Sequence, residues 1–461
     1  MSKKKCLLCA VLALFVVLAL IASTQLFGGS GKAKEPAGAM ERVEEPIQCR
    51  LWFWGEDEAP GITDFLIETA RLYGEQNPDV VWEVTHVDID QIYTGFYAAV
   101  EAKDAPELHI LWGGVMGLEP AWAGHLSPIS DYVSEETLSH IYPETRAEGY
   151  WNGKQWLVPL YLDPWLFAIN KDVWRKSGLN PDRLPKTWDE FVTALEKIKA
   201  AGFTPWGFGI KDGFYGGWFP SALQYQCYDS ATDYHRAVVG DEKLTDPKHS
   251  TWWFLIQELR DKGLFNPDVN SLSLAEGQDL FFTGNVGVFY DVQPRIAAAV
   301  REMGEDKIDV MIAPVPCDGK LKGKLPIPAI DVSIPKVAKY KEEAGRFLEY
   351  FLSSERQNAL YEQTGTFPAT DWVKKDIMKS AVDRKIWEWV NNNASMTYVW
   401  NHPGAFEEAV YAITQEFFAG KVDAEGAARK YEAAAEKWRS ENPEAVKNFK
   451  IWVEEGFPFM Q

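Results

Sequence analysis

Apolar positions along this chain fall into two alternating periods. An apolar and aromatic run at 47–54 has the length of a strand, and an amphipathic stretch follows at 62–76. That stretch stops at Asn77-Pro78, where the proline blocks helix continuation. Residues 80–87 predict a second strand, 89–102 a helix, and 108–112 a third strand that ends in Gly113-Gly114. A β-α-β-α-β start implies a mainly parallel sheet with helices on both faces. Such sheets bind ligands at the loops beyond the carboxyl ends of their strands, here 54–58, 88–91 and 112–116.

The pattern begins again at 156–159 and 165–169, both strand-like. Thr187 and Glu190 have the spacing of a capping box, and Phe191, Leu195 and Ile198 share one helical face that ends near Gly202. Residues 282–290, with Gly284 and Gly287, predict a turn and a strand. The stretch 310–334 holds Pro314, Pro316, Pro326 and Pro328, with Pro335 just beyond, and predicts a connector rather than a central strand. From Lys341 onward the period is helical, at 344–352, 355–364, 383–390, 406–418 and 424–438. No internal repeat or low-complexity tract is visible.

The N-terminus departs from this pattern. Lys3, Lys4 and Lys5 precede an uncharged apolar run at 6–22, the order of a basic and then a hydrophobic segment of an export signal. The run is long for a signal and short for a comfortable membrane span, so residues 1–30 are expected to be a signal peptide or an uncleaved membrane anchor. Ala37-Gly38-Ala39 offers a small-residue cleavage pattern, and no Cys stands where a lipoprotein signal requires one. Residues 31–46 are expected to be a flexible tether. Lysines on the retained side place the remainder outside the cytoplasm.

Charge narrows the partners. With 67 Asp and Glu against 47 Lys and Arg the chain carries −20, and no basic run beyond Lys3–Lys5 could neutralise a phosphate backbone, so nucleic acid is excluded. Beyond the signal only Cys49, Cys227 and Cys317 remain, which fits one bridge and a free thiol or three free thiols. The 20 Trp, 18 Tyr and 25 Phe supply core, and also flat apolar faces for ligands such as sugar rings.

Catalytic and metal motifs are missing. There is no Walker loop and no G-x-S-x-G elbow, and Gly207, Gly209 and Gly213 are wrongly spaced for a dinucleotide fingerprint. The seven His never pair at i, i+4, and the sequence from Asn266 that imitates a calcium loop has Ser271 and Gly277 where Gly and Glu are required. Neither a metal nor a cofactor is expected. Two carboxylates for glycoside hydrolysis could come from distant positions, but hydrogen-bond acceptors for ligand hydroxyls, or plain surface charge, are the stronger readings of the acids, so no catalytic residue is assigned.

Five motifs, in order, carry a resemblance. These are Gly153-Lys154-Gln155-Trp156-Leu157-Val158-Pro159 with Asn170-Lys171-Asp172; Leu184-Pro185-Lys186-Thr187-Trp188-Asp189-Glu190-Phe191; Phe281-Phe282-Thr283-Gly284-Asn285-Val286-Gly287; Ala344-Gly345-Arg346-Phe347-Leu348 through Ser353-Ser354-Glu355; and Gly365-Thr366-Phe367-Pro368. Together they resemble the extracellular solute-binding proteins of family 1, which include the maltose-binding protein and serve sugar ABC importers. Glu107 stands where that family usually has Asp, and the lipoprotein Cys of many members is absent.

The resemblance implies an α/β, two-lobed periplasmic-binding-protein fold with ligand between the lobes. It places lobe I at 47–163 plus 332–375, lobe II at 164–331, and a C-terminal helical region at 376–461 packing across both. Chain crossings would fall near 163–167 and 330–333. The implied function is to bind a carbohydrate and deliver it to the permease subunits of an ABC importer, as a monomer. A ligand-presenting subunit for a membrane sensor and a secreted glycosidase are the alternatives, and a cationic ligand is a minor competitor. Sugars need planar polar groups beside aromatic faces. Carried over by motif, the expected ligand-binding residues are Trp54, Glu56, Asp57, Trp112, Gly113, Asp163, Trp165, Tyr215, Trp218, Tyr290, Asp291, Asp331, Phe367 and Trp400.

Overall fold

The structure, a computed structural model, describes residues 45–455 except 315–316, 375 and 396–401, together with Phe459. The expected signal or anchor at 1–30, the tether up to residue 44 and Trp400 therefore lie outside the described residues. Among the described residues no helix is long and apolar enough to cross a membrane.

Two larger sheets are built, in chain order, from β1 (Ile47–Phe53), β2 (Val80–His86), β3 (Leu108–Trp112), β4 (Leu126–Ser127), β5 (Leu157–Leu162), β6 (Trp165–Asn170), β7 (Thr204–Trp206), β8 (Val286–Val292), β9 (Ile308–Met311) and β10 (Ala329–Pro335). The first sheet runs β2-β1-β3-β10-β4, with β5 also on β10; the second runs β9-β6-β8-β7. Strands β1, β2 and β3 are parallel, as the β-α-β-α-β pattern predicts, and so are β7 and β8. The remaining pairs, β10 on β3, β4 and β5 and β6 between β8 and β9, are antiparallel, so both sheets are mixed. Strands β3, β5, β6, β8 and β10 are buried along their whole length, which is why they read as near-continuous apolar runs.

One sequence expectation is corrected here. Residues 310–334 are not simply a connector, because β10 occupies the centre of the first sheet, with Ile330 opposite Trp112 and Ser333 opposite His109. Pro326 and Pro328 stand before this strand and Pro335 ends it, so no proline interrupts the interior of β10 itself. The chain leaves the first sheet at Asp163-Pro164, between β5 and β6, and returns between β9 and β10. The two passages touch: the Asp163 amide donates to the Pro328 carbonyl at 2.9 Å.

Helix ends follow local chemistry. Thr187 Oγ1 accepts from the Glu190 amide, but Glu190 turns back to the Lys186 amide, so that box is shifted by one residue. The reciprocal box is at Ser273 and Glu276, opening the helix Leu274–Phe282. The helix Pro443–Glu455, which sequence reading passed over, lays Trp452 against His235 and ties itself to 147–151 through Trp452 and the Trp151 indole, which donates to the Asn448 carbonyl. Cys227 and Cys317 form a disulfide with their Cα atoms 4.8 Å apart, and Cys49 is a buried thiol that burial pushes up to about 12.

Candidate functional site

The loops beyond β1, β2 and β3 converge on one side of the first sheet. Facing them from the second-sheet side are the 3₁₀ turn Phe214–Gly217, the N-terminus of Leu274–Phe282 and the helix Gly404–Phe418. Between these elements lie two chambers of about 300 Å³ each, which share Ile89 and Phe214 as common wall. Trp54, Asp57, Glu58, Asp88 and Trp112 come from the three loops that the strand pattern singled out; Asp212, Phe214, Trp218 and Tyr411 come from the opposite side. The cleft is thus lined from both sheets.

Its walls are rings set edge to face. Trp54 meets Trp112 at 5.3 Å, Trp112 meets Phe214 at 5.8 Å, and Phe214 meets Tyr411 at 5.8 Å, a continuous aromatic path across the cleft. Trp218 is backed by Trp165, at 4.2 Å and 89°. Such rings give apolar faces of fixed orientation, and the buried Trp54 indole N–H, without a hydrogen-bond partner among the described residues, adds a donor at the chamber wall. Among the described residues the charged lining is acidic, Asp57, Glu58, Asp88 and Asp212 in one chamber and Glu119, Glu407 and Glu408 in the other, with no Lys or Arg.

Beneath the rings lies a layer of carboxyls. Glu58 accepts a hydrogen bond from the Tyr161 hydroxyl at 2.7 Å, and Asp291 accepts from the Gln278 side chain and from the Val292 amide, each at 2.8 Å. Burial raises both acids to about 7, while the Arg295 guanidinium pulls them back toward the charged form. Asp163 is raised as well, by burial and then by the charges of Glu58 and Asp291. Glu148 and Asp331 are raised by burial, and neither oxygen of Asp331 has a hydrogen-bond partner among the described residues. Buried acceptors of this kind are costly when unmet, and they suit hydroxyl donors.

The residues expected from sequence divide into groups. Trp54, Asp57, Trp112 and Trp218 line the chambers. Trp165, Tyr215 and Tyr290 form the packed layer behind Trp218, where the Tyr215 hydroxyl donates to the Tyr290 carbonyl at 2.9 Å. Asp163, Asp291 and Asp331 belong to the carboxyl layer. Gly113 lets β10 approach, since a Cβ there would stand 2.6 Å from the Ala329 carbonyl and 3.1 Å from Asp331 Oδ2. Glu56 turns both oxygens to the start of the helix Ile62–Gln76, accepting from the Gly61 and Thr63 amides at 2.7 and 2.9 Å. Phe367 sits in a separate core against Trp387 and Tyr361.

Sequence reading missed Glu58, Phe214, Tyr411 and Glu407. Glu58 was within reach, being the last residue of a selected loop; Tyr411 and Glu407 lie on a helix whose place at the cleft depends on tertiary packing. Glu407 is held by His402, which also reaches Tyr431. Among the described residues no three His, Cys, Asp or Glu are grouped to hold a metal ion.

Known proteins share this architecture. The solved structure of a chitin oligosaccharide binding protein superposes with a TM-score of 0.77 at 21% identity, over 86% of this chain and 100% of that one. A protein of Brucella abortus (strain 2308), named only as a binding protein, is 23% identical over 306 residues, 65% of this chain and 71% of its own length. An sn-glycerol-3-phosphate-binding periplasmic protein of Salmonella paratyphi A is 26% identical over 216 residues, 44% of this chain and 46% of its own length. The family model described as bacterial extracellular solute-binding protein matches residues 57–358, within which lie both chain passages and most of the cleft. The chain belongs to the bacterial extracellular solute-binding protein family, the family that its five motifs resemble.

Proposed function

We propose that this protein is the extracytoplasmic binding component of an ABC importer, that it takes a mono- or oligosaccharide into the interlobe cleft, and that it hands the sugar unchanged to a permease. The observation that carries this reading is the aromatic path from Trp54 through Trp112 and Phe214 to Tyr411, set over buried carboxyl acceptors. Stacking faces and hydroxyl acceptors are what a neutral polyol needs. Ligand-binding roles fall to Trp54, Asp57, Trp112 and Trp218, joined by Phe214 and Tyr411, with Asp163, Asp291 and Asp331 beneath. An anionic ligand such as the one named for the Salmonella relative is disfavoured by a lining that holds no Lys or Arg among the described residues.

The lobes then run 47–163 with the return segment up to 375, and from 164 to the return passage, with the boundary moved ahead of Ala329 because β10 lies in the first sheet. Helices from 376 onward brace both. The body works outside the cytoplasmic membrane as a monomer, released or held by its N-terminal segment, and performs no chemistry on its ligand.

A thermal-shift screen against mono- and oligosaccharides, polyols and amino acids tests this. A sugar at about 100 times its dissociation constant adds about 2.7 kcal/mol of stability. A rise in Tm with the sugar recovered intact is expected; a sugar recovered hydrolysed, or a response to amino acids alone, contradicts the proposal.

A further inference from the structure

The two chambers are alike in size and in construction, about 300 Å³ each and walled from both sheets. One holds the rings of Tyr93, Tyr97 and Tyr411 with the thioether of Met116; the other holds the indoles of Trp54 and Trp218 with the Gln278 amide. Each therefore has stacking faces and polar groups of its own. Among the described residues only Ile89 and Phe214 belong to both. These two are half-buried, so the divide between the chambers is a rim of two side chains rather than packed core. The rings of Trp54, Trp112, Phe214 and Tyr411 follow one another across it without a break. Each chamber alone stands at the small end of ligand pockets, which run from about 300 to about 1,000 Å³. A single sugar ring fills one compartment and leaves the stacking faces of the other unused. A linear oligosaccharide alternates wide rings with narrow glycosidic links, and a link is the part that passes between two side chains.

We propose that the chambers are two halves of one site, that the ligand is a linear oligosaccharide with a ring in each, and that Ile89 and Phe214 hold the glycosidic link between them. The inference rests on the reading of this cleft as a saccharide site and fixes the size class of the sugar, which that reading leaves open. Once one ring is seated, the second arrives from the same molecule, so affinity rises steeply when a chain is long enough to reach both compartments.

Two exposed alanines allow a test that leaves the core intact. Ala405 lines the tyrosine chamber and Ala275 the indole chamber, and a tryptophan at either place fills space without removing a buried group. Calorimetric titration of the full chain with glucose, xylose and N-acetylglucosamine, each beside its linear di-, tri- and tetrasaccharides, reads the effect of length. One series is expected to tighten at least about a hundredfold between the single ring and the chain that reaches both chambers. Ala405→Trp and Ala275→Trp should each weaken that oligosaccharide at least about tenfold with Tm held, while its single ring loses affinity in one variant only. Where a tryptophan lowers Tm, phenylalanine at the same position repeats the test. A single sugar that binds as tightly as its oligomers, or an oligosaccharide untouched by one of the two substitutions, overturns the inference and leaves the saccharide reading standing. If no member of any series binds, the saccharide reading falls and takes this inference with it.

Discussion

Phe214 stands where the two chambers meet, partly exposed and edge-on to Trp112 and Tyr411. Phe214→Ala removes the shared wall without opening the core, so sugar affinity should drop about tenfold, or about 1.4 kcal/mol, with little change in Tm; unchanged affinity in a titration would remove Phe214 from the site. Glu58 makes a different kind of prediction. Its ordinary value is 4.5 and burial raises it to about 7, so between those limits the folded state holds a proton that the unfolded state releases. The group therefore costs stability as pH rises through that window, and the cost is complete above about pH 7. Glu58→Gln removes the titration, so the Tm of the variant relative to the parent should climb from about pH 5 to about pH 8, and a flat difference would contradict the burial argument. Residue types at the strand ends were legible in the sequence, because strand-end loops are where such sheets bind ligand, and Trp54, Asp57 and Trp112 are cleft-lining there. Asp331 and Tyr290 were carried over by motif, yet the side that a strand residue faces depends on neighbours that sequence spacing does not reveal.

At the scale of elements, the period of apolar residues located most helices and strands, and the misses have physical causes. The strand β10 was hidden by prolines that flank it rather than interrupt it. The helix Pro443–Glu455 was hidden because its buried side chains, Phe449, Trp452 and Val453, cover only a short stretch of one face. Glu56 shows how one residue type serves two ends. A carboxylate beside Trp54 suits a sugar hydroxyl, but here it satisfies the amides that open the helix Ile62–Gln76, which lacks a cap from Gly61. Glu56→Ala should cost about 1 kcal/mol in denaturant unfolding and leave sugar affinity within about twofold. A large loss of affinity with normal stability would return Glu56 to the ligand.

At the scale of the molecule, two mixed sheets are joined where Asp163-Pro164 and the segment ahead of β10 run side by side, and the cleft opens beside that junction. The carboxyl layer straddles it, Glu58 and Asp331 from the first sheet side and Asp291 from the second, so a ligand that meets these acids draws on both lobes at once. A ligand that binds both lobes favours the closed arrangement over the open one by its difference in affinity for the two. Fold class and family could be read from the order of motifs, since that order sets the topology. The ligand could not, because the pairing of loops from opposite lobes appears only when the chain is folded. The most direct measurement is a structure of the protein with the tightest sugar from the screen. The account predicts sugar rings against Trp54, Trp112 and Phe214, with hydroxyls held by acids of both lobes; a sugar seated on one lobe alone, or outside the two chambers, would contradict it.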